Sequence, residues 1–92
     1  MRPLEDTRDP TPAVHAALTE GYDRLRGFLR AQFSAEHEAE EVLQAFCVRA
    51  LEKAKTLRDT RAVRSWLSRV LATTVTDYRR RQNVHRRRHV AG

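Results

Sequence analysis

Cysteine, glycine, proline and long apolar runs are all scarce in this sequence of 92 residues. Because Cys47 is the single cysteine, neither an internal disulfide nor a cysteine-based zinc site can form. No apolar run approaches the ~20 residues that a membrane span needs, and no signal peptide follows Met1. We therefore expect no membrane insertion and a cytoplasmic location. The three glycines and three prolines fall largely outside the periodic segments, which favours helices joined by short loops.

Residues that could carry catalysis are equally scarce. The sequence contains no phosphate-binding glycine loop, nucleophile elbow or paired-carboxylate site. His37 and Glu41 have metal-like spacing, but no third ligand is evident, so a surface pair is the better explanation. Cys47 has no nearby basic activator and is expected to be a small buried hydrophobe. The sequence thus predicts neither an enzyme nor a metal or other cofactor.

The charge is divided unevenly along the chain. Residues 1–60 carry nine Lys or Arg against eleven Asp or Glu, whereas residues 61–92 carry nine arginines and only Asp77. A basic segment beside a mildly acidic one indicates two partners, a polyanion at the basic end and a different molecule at the other. For residues 84–92 the alternative is a solvated arginine tail with no partner.

Apolar residues recur at steps of three and four in three segments, the period of a helix with one buried face. The first helix begins near Ala13, with Gly21 favouring a kink or break. Ser34 caps a second helix that ends near Lys55, and Thr60 caps the third. The expected inner faces are Val14, Leu18, Tyr22, Leu25, Phe28 or Leu29, and Phe33; then Ala39, Val42, Leu43, Phe46, Ala50 and Ala54; then Val63, Leu67, Val70, Leu71, Thr74 and Tyr78. The sequence predicts an all-α three-helix bundle over residues 13–83, between a flexible N-terminal arm (residues 1–12) and a basic tail that begins an interdomain linker (residues 84–92).

The outer face of the second helix has an unusual centre. At about 100° per residue, the positions opposite its core are Glu41, Gln44, Ala45, Val48 and Glu52. An apolar residue ringed by carboxylates and an amide suits a groove on a partner protein. The alternative is a single stray valine on a solvated surface.

The outer face of the third helix combines small and basic residues. It holds Ser65, Ser68, Arg69, Ala72, Thr73, Thr76, Arg79 and Arg80. Small hydroxyl side chains allow a nucleic-acid backbone to approach, and arginines can hold phosphates in a bidentate manner. The arginine runs at residues 79–81 and 86–88 extend this face, and His85 and His89 would add to its charge when protonated. Basic helix ends also occur in proteins that bind no nucleic acid.

Two stretches and the loop between them, taken in order, resemble a known family. Residues 39–51 (AEEVLQAFCVRAL) resemble region 2.2 of bacterial sigma factors of the extracytoplasmic-function group within the sigma-70 family. Residues 65–81 (SWLSRVLATTVTDYRRR) resemble their regions 2.3 and 2.4, with Trp66, Arg69 and Asp77 in register. The intervening TLRDTRAV resembles the loop that captures a flipped base of the promoter −10 element. The resemblance covers roughly residues 20–83.

The resemblance implies a sigma region 2 domain that binds RNA polymerase core and promoter DNA. Glu41, Gln44, Val48 and Arg49, together with the neighbouring Ala45 and Glu52, would dock on the coiled coil of the polymerase β′ subunit. Leu57, Arg58, Asp59, Thr60 and Arg61 would form the base-capturing loop. The non-template −10 strand would follow the outer residues of the third helix, which are Arg69, Thr73, Thr76, Arg79, Arg80 and Arg81. The resemblance also implies an anti-sigma protein as a further partner.

The sequence departs from this family in three ways. Ala45 stands where an acidic residue is usual, and Thr73 stands where asparagine is usual. Nothing here could encode the second, helix-turn-helix domain that recognises the −35 element, so we expect a fragment or a single-domain relative.

Trp66 borders the apolar face, which favours packing in the core over stacking on a base. Two rival functions remain at this point: a generic basic nucleic-acid-binding protein without polymerase, and a sequestration module that binds an anti-sigma-like protein.

Overall fold

The computed structural model describes the backbone of residues 9–91 and the side chains of residues 9–85. Within these residues the chain forms three α-helices and two 3₁₀ turns, with no strand. The helices are α1 (Thr11–Gln32), α2 (Glu36–Glu52) and α3 (Val63–Ala91), and the 3₁₀ turns Ala54–Thr56 and Thr60–Ala62 lie between α2 and α3. The predicted all-α architecture of three helices is confirmed. Residues 1–8 of the predicted arm lie outside the described residues.

Both ends of the helical region differ from the expected boundaries. Helix α1 begins at Thr11, two residues before Ala13, with Pro12 in its first turn, where the missing amide proton of proline costs nothing. It continues through Gly21 without the break that the glycine could have caused. Helix α3 remains helical to Ala91, through the segment predicted to be a tail, although the side chains after His85 lie outside the description.

The predicted helix caps at Ser34 and Thr60 are both wrong. Ala35 occupies the N-cap position of α2 and makes no side-chain cap, although Glu36 and Glu38 lie in the first turn as expected. Asp59 is the residue that caps the chain before α3, and its carboxylate accepts a hydrogen bond from the backbone amide of Arg61 at 3.0 Å. A cap needs extended backbone as well as an oxygen acceptor; Asp59 has both, whereas Thr60 already lies inside the 3₁₀ turn.

The core consists of two apolar clusters, one toward each end of the bundle. The cluster beside the α2–α3 connection contains Val14, Leu18, Phe46, Ala50, Ala54, Leu57 and Trp66. The cluster beside the α1–α2 connection contains Leu29, Phe33, Ala39, Val42 and Leu43. Half-buried Leu25, Cys47 and Leu71 pack against both clusters and make the core continuous. Every residue predicted for the inner face of α2 is buried.

The inner face of α1 differs from the prediction at Tyr22, and the choice between Phe28 and Leu29 is resolved. Leu29, and not Phe28, is the buried member of the ambiguous pair, and Tyr22 is exposed. Trp66 lies in the core as expected. Thr74 is the buried polar residue of α3, and its hydroxyl donates to the carbonyl oxygen of Val70 at 2.7 Å, which satisfies it inside the bundle. Of the described helices, none is long and apolar enough to cross a membrane.

Candidate functional site

The outward surface of α2 carries a small apolar area surrounded by polar groups. The five residues predicted for it, Glu41, Gln44, Ala45, Val48 and Glu52, are all exposed. Val48 is 54 % exposed, and Leu51, one turn further along, is 39 % exposed. The sequence interpretation missed Leu51, although its i+3 spacing from Val48 would have indicated it. These six residues are called the α2 face below.

Two α2 residues in this region are linked to α3. Arg49, which is half-buried at the α3 edge of the α2 face, donates to the carboxylate of Asp77 through Nη1 at 3.1 Å. The hydroxyl of Tyr78 donates to Oε1 of Glu41 at 2.9 Å. Burial, and then the hydrogen bond to Glu41, raise the pKa of Tyr78, so this hydroxyl keeps its proton over the whole physiological range.

The outward surface of α3 is polar and basic, as predicted. Arg69, Thr73, Thr76 and Arg80 are all exposed and follow one another at steps of four, three and four residues. They therefore form a single stripe of about 16 Å along the helix at 1.5 Å per residue. Ser65, Ser68 and Ala72 lie beside it and are also exposed. These seven residues are called the α3 face below.

Some of the arginines form ion pairs with carboxylates, and others do not. Arg26 and Arg30 pair with Glu40 and Glu36 across α1 and α2, at 2.8 and 2.7 Å. By contrast, some arginines form no ion pair with any residue in the described part of the chain. These are Arg24 on α1, Arg58 in the loop, and Arg64, Arg69, Arg80 and Arg81 on α3. A surface guanidinium without a carboxylate partner is available to a phosphate.

Arg79 differs from the arginines around it. Its Nη2 donates to the carbonyl oxygen of Gln32 at 3.2 Å, and its guanidinium lies 4.9 Å above the ring of Phe33. The Gln32 carbonyl belongs to the last turn of α1, where the helix itself supplies no donor, so Arg79 caps α1 from α3. Although Arg79 is exposed, its side chain therefore has a structural role that the sequence did not reveal.

The hydroxyl groups of the α3 face are not equivalent. Ser65 and Thr73 donate to carbonyl oxygens of their own helix region, at 3.1 Å to Ala62 and 3.0 Å to Arg69. Ser68 and Thr76 make no hydrogen bond through their side chains within residues 9–85. Of the four hydroxyls on the α3 face, those of Ser68 and Thr76 are thus not already engaged as donors and can donate to a phosphate oxygen.

The loop before α3, residues 57–61, has one buried anchor and four exposed residues. The side chain of Leu57 lies in the core at 6 % exposure, so it fixes the loop and does not face an incoming base. Asp59 accepts from Nε and Nη2 of Arg61, both at 3.2 Å, and these bonds lower the pKa of the Asp59 carboxyl. Arg58 and Thr60 are exposed beside this pair. The loop thus presents the hydrogen-bonded pair Asp59–Arg61 and the unpaired Arg58 to solvent.

The described residues offer no evident site for metal or nucleophilic chemistry. Among residues 9–85, no three His, Cys, Asp or Glu side chains come together as a metal ion would require. Cys47 is half-buried between the two core clusters, and burial raises the pKa of its thiol. A thiol held in its protonated form is a poor nucleophile.

Comparison with known protein families gives a match to sigma-70 region 2 over residues 18–84, well over half of the chain. Searches of curated proteins and of solved structures each find nothing similar. The matched segment contains α2, the loop and the described side chains of the α3 face. Sigma-70 region 2 is a non-enzymatic domain of transcription initiation factors, and it implies RNA polymerase core and promoter DNA as partners. The chain therefore belongs to the sigma-70 region 2 family.

Proposed function

We propose that this protein acts as a region 2 domain of the extracytoplasmic-function group, which docks on the β′ coiled coil and recognises and melts the −10 element. In this proposal the α2 face binds the coiled coil, and the loop and the α3 face hold the non-template strand. Because RNA polymerase works in the bacterial cytoplasm, the proposal places the protein there. The group assignment rests on the similarity of residues 39–51 and 65–81 to its regions 2.2 to 2.4.

The observation that carries the docking proposal is the exposure of Val48. Its 54 % exposed side chain, with Leu51 beside it, forms an apolar centre between Glu41 and Glu52. Binding energy in helix-in-groove contacts is concentrated in a few such apolar anchors, and polar groups around them exclude water. Ala45, in place of the usual acidic residue, enlarges the apolar centre at the expense of one charge.

The DNA proposal is supported by the unpaired arginines. Arg69 and Arg80, at the two ends of the stripe on the α3 face, can each engage a phosphate, while Thr76 between them can donate a hydrogen bond. Arg58, which is exposed and unpaired in the loop before α3, can engage a further phosphate. A base of duplex DNA must unpair and leave the stack before it can reach such a loop. The loop therefore favours melted DNA over duplex.

The α2 face can be tested with a pair of matched valine variants. Val48→Asp should weaken binding to a β′ coiled-coil fragment by more than about fivefold, since burying an unpaired carboxylate in a hot spot costs more than ~1 kcal/mol. Val84 is similarly exposed, at 49 %, but lies on α3 beyond Gln82, whose side chain approaches Glu38 in the first turn of α2. Val84→Asp should bind the fragment like the original protein. Both variants should keep full helicity by circular dichroism.

Two results would count against docking through α2. One is a folded Val48→Asp variant that binds the fragment at full strength. The other is an equal loss in Val48→Asp and Val84→Asp, since this would indicate a general effect of added negative charge. Binding of nucleic acid without any binding of the fragment would instead favour a generic basic protein that works without polymerase.

The α2 face would also serve as the binding surface of an inhibitory partner. A protein that covers Val48 and Leu51 would exclude polymerase from the same area, which is the action of an anti-sigma protein. Such a partner should therefore compete with the β′ fragment, and Val48→Asp should weaken both interactions. Simultaneous binding of the two to one copy of the chain would place the inhibitory surface elsewhere.

A further inference from the structure

The contacts between α2 and α3 include two polar links that come from consecutive residues of α3. Asp77 reaches Arg49 at 3.1 Å, and Tyr78 reaches Glu41 at 2.9 Å. The family resemblance predicts that Arg49 and Glu41 bind polymerase, and it gives Asp77 and Tyr78 no part in docking. Asp77 is also the single acidic residue after Arg61, in the segment that carries nine arginines. A carboxylate there weakens attraction for DNA, which favours a role for Asp77 other than contact with DNA.

We propose that Asp77 and Tyr78 are positioning residues of the α2 face, which hold Arg49 and Glu41 in the orientation that polymerase docking requires. This inference rests on the proposed docking of the α2 face. An unrestrained Glu or Arg side chain samples many rotamers and loses that freedom on binding. A side chain already held in its bound rotamer avoids much of this loss, which raises affinity without adding a contact to the partner.

Tyr78 is itself held firmly enough to fix Glu41. Its ring packs edge-on against Phe33, with 5.6 Å between centroids. Its hydroxyl oxygen accepts a hydrogen bond from Nε2 of Gln82 at 2.9 Å while the hydroxyl proton goes to Glu41. Gln82 in turn approaches Glu38 at 3.4 Å. The hydroxyl is thus oriented by a donor on one side and an acceptor on the other, and a partner that engages Glu41 meets a carboxylate with a defined direction.

Asp77 acts on the same face from the side that borders α3. Arg49 is 24 % exposed and Asp77 is 36 % exposed, so the pair lies at the rim of the interface, partly shielded from solvent. Because its guanidinium is bonded to Asp77 on α3, the Arg49 side chain does not cover Val48, which stays exposed to solvent. Without Asp77 the long arginine side chain is free to lie across the apolar centre, because its methylene groups gain from apolar contact.

The tyrosine link can be tested by removing one oxygen atom. Tyr78→Phe keeps the ring that packs on Phe33 but loses the bond to Glu41, and should bind the β′ fragment about fivefold more weakly. Tyr22→Phe is the matched control, since Tyr22 makes no hydrogen bond with a described residue and lies on α1. It should bind like the original protein. In a Glu41→Ala background, Tyr78→Phe should cause no further loss.

The aspartate link gives effects of opposite sign on the two partners. Asp77→Ala should weaken β′ binding about threefold through the freed Arg49. It should also strengthen binding of single-stranded DNA, because it removes a negative charge from the basic segment. A purely structural role would weaken both interactions together and lower the melting temperature. In an Arg49→Ala background the effect of Asp77→Ala on β′ binding should vanish.

Three outcomes separate this inference from the docking proposal. If Val48→Asp, Tyr78→Phe and Asp77→Ala all weaken β′ binding as stated, both stand. If Val48→Asp weakens it but the other two bind at full strength, or lose β′ and DNA binding in parallel, the positioning role is overturned and docking survives. If none of the three weakens it, docking through α2 fails and the positioning role fails with it.

Discussion

Phe28 and Leu29 are neighbours on α1, and either satisfies the helical period of its apolar face. Leu29 is fully buried, whereas Phe28 is 49 % exposed. Leu29→Ala should therefore lower the free energy of unfolding by about 2–5 kcal/mol, through lost burial and a cavity. Phe28→Ala should lower it by less than about 1 kcal/mol. Urea unfolding of the two variants measures the difference, and the reverse order would mean that α1 is rotated relative to the bundle.

Arg30 and Arg80 are both exposed arginines with different surroundings. Arg30 pairs with Glu36, whereas Arg80 forms no ion pair with the residues described. Arg80→Ala should weaken binding to single-stranded DNA and reduce the slope of log affinity against log salt by about 0.7, the contribution of one phosphate contact. Arg30→Ala should leave the slope unchanged. Salt titrations by fluorescence anisotropy test this, and equal slopes in both variants would exclude Arg80 from the DNA contact.

At the scale of elements, the loop between α2 and α3 is expected to distinguish strands by sequence. The protein should prefer a strand with the −10 sequence of a promoter that it serves over a scrambled strand, and either strand over duplex. Arg58→Ala should reduce the preference for the −10 sequence. Lys55→Ala removes the same charge from the adjacent 3₁₀ turn and should leave that preference intact. Equal affinity for all three DNA molecules would leave only nonspecific attraction of charge.

The helices were predictable because their apolar periods are regular, and α2 most of all. Ala39, Val42, Leu43 and Phe46 are buried as their spacing predicts. Features that depend on distant neighbours were not predictable. The spacing of Arg79 and Arg80 gives no indication that the first caps α1 through Gln32 while the second stays unpaired. The two candidate faces were found from the sequence because exposure follows the helical period, but the links from Asp77 and Tyr78 to α2 required the structure.

At the scale of the whole molecule, reach limits what this chain can contact. The described structure is 62 Å in its longest dimension and only 23 by 16 Å across. A −35 element lies some 20 base pairs upstream of the −10 element, about 70 Å away along duplex DNA. With α2 on polymerase and the α3 face on the −10 strand, this chain could touch upstream phosphates at most. Phosphate contacts position a protein without reading sequence.

The arrangement of the two faces has a consequence for promoter use. Core polymerase with residues 1–92 alone should be nearly inactive on a duplex promoter, because these residues cannot reach the −35 bases and the contacts at −10 must supply the free energy of strand separation. A template already open at −10 removes the cost of separating the strands. We therefore expect the open template to be used in preference to the duplex, with little effect of altering the −35 sequence on either.

Abortive initiation by core polymerase on a template melted at −10 requires docking through the α2 face and DNA contact through the α3 face, so it tests both at once. Short RNA products should depend on the chain, be lost with Val48→Asp, be reduced with Arg80→Ala and persist with Arg30→Ala. Products no greater than those of core polymerase alone would contradict a role in initiation. Strong, −35-dependent synthesis from the intact duplex would contradict the assignment of this chain to −10 recognition alone.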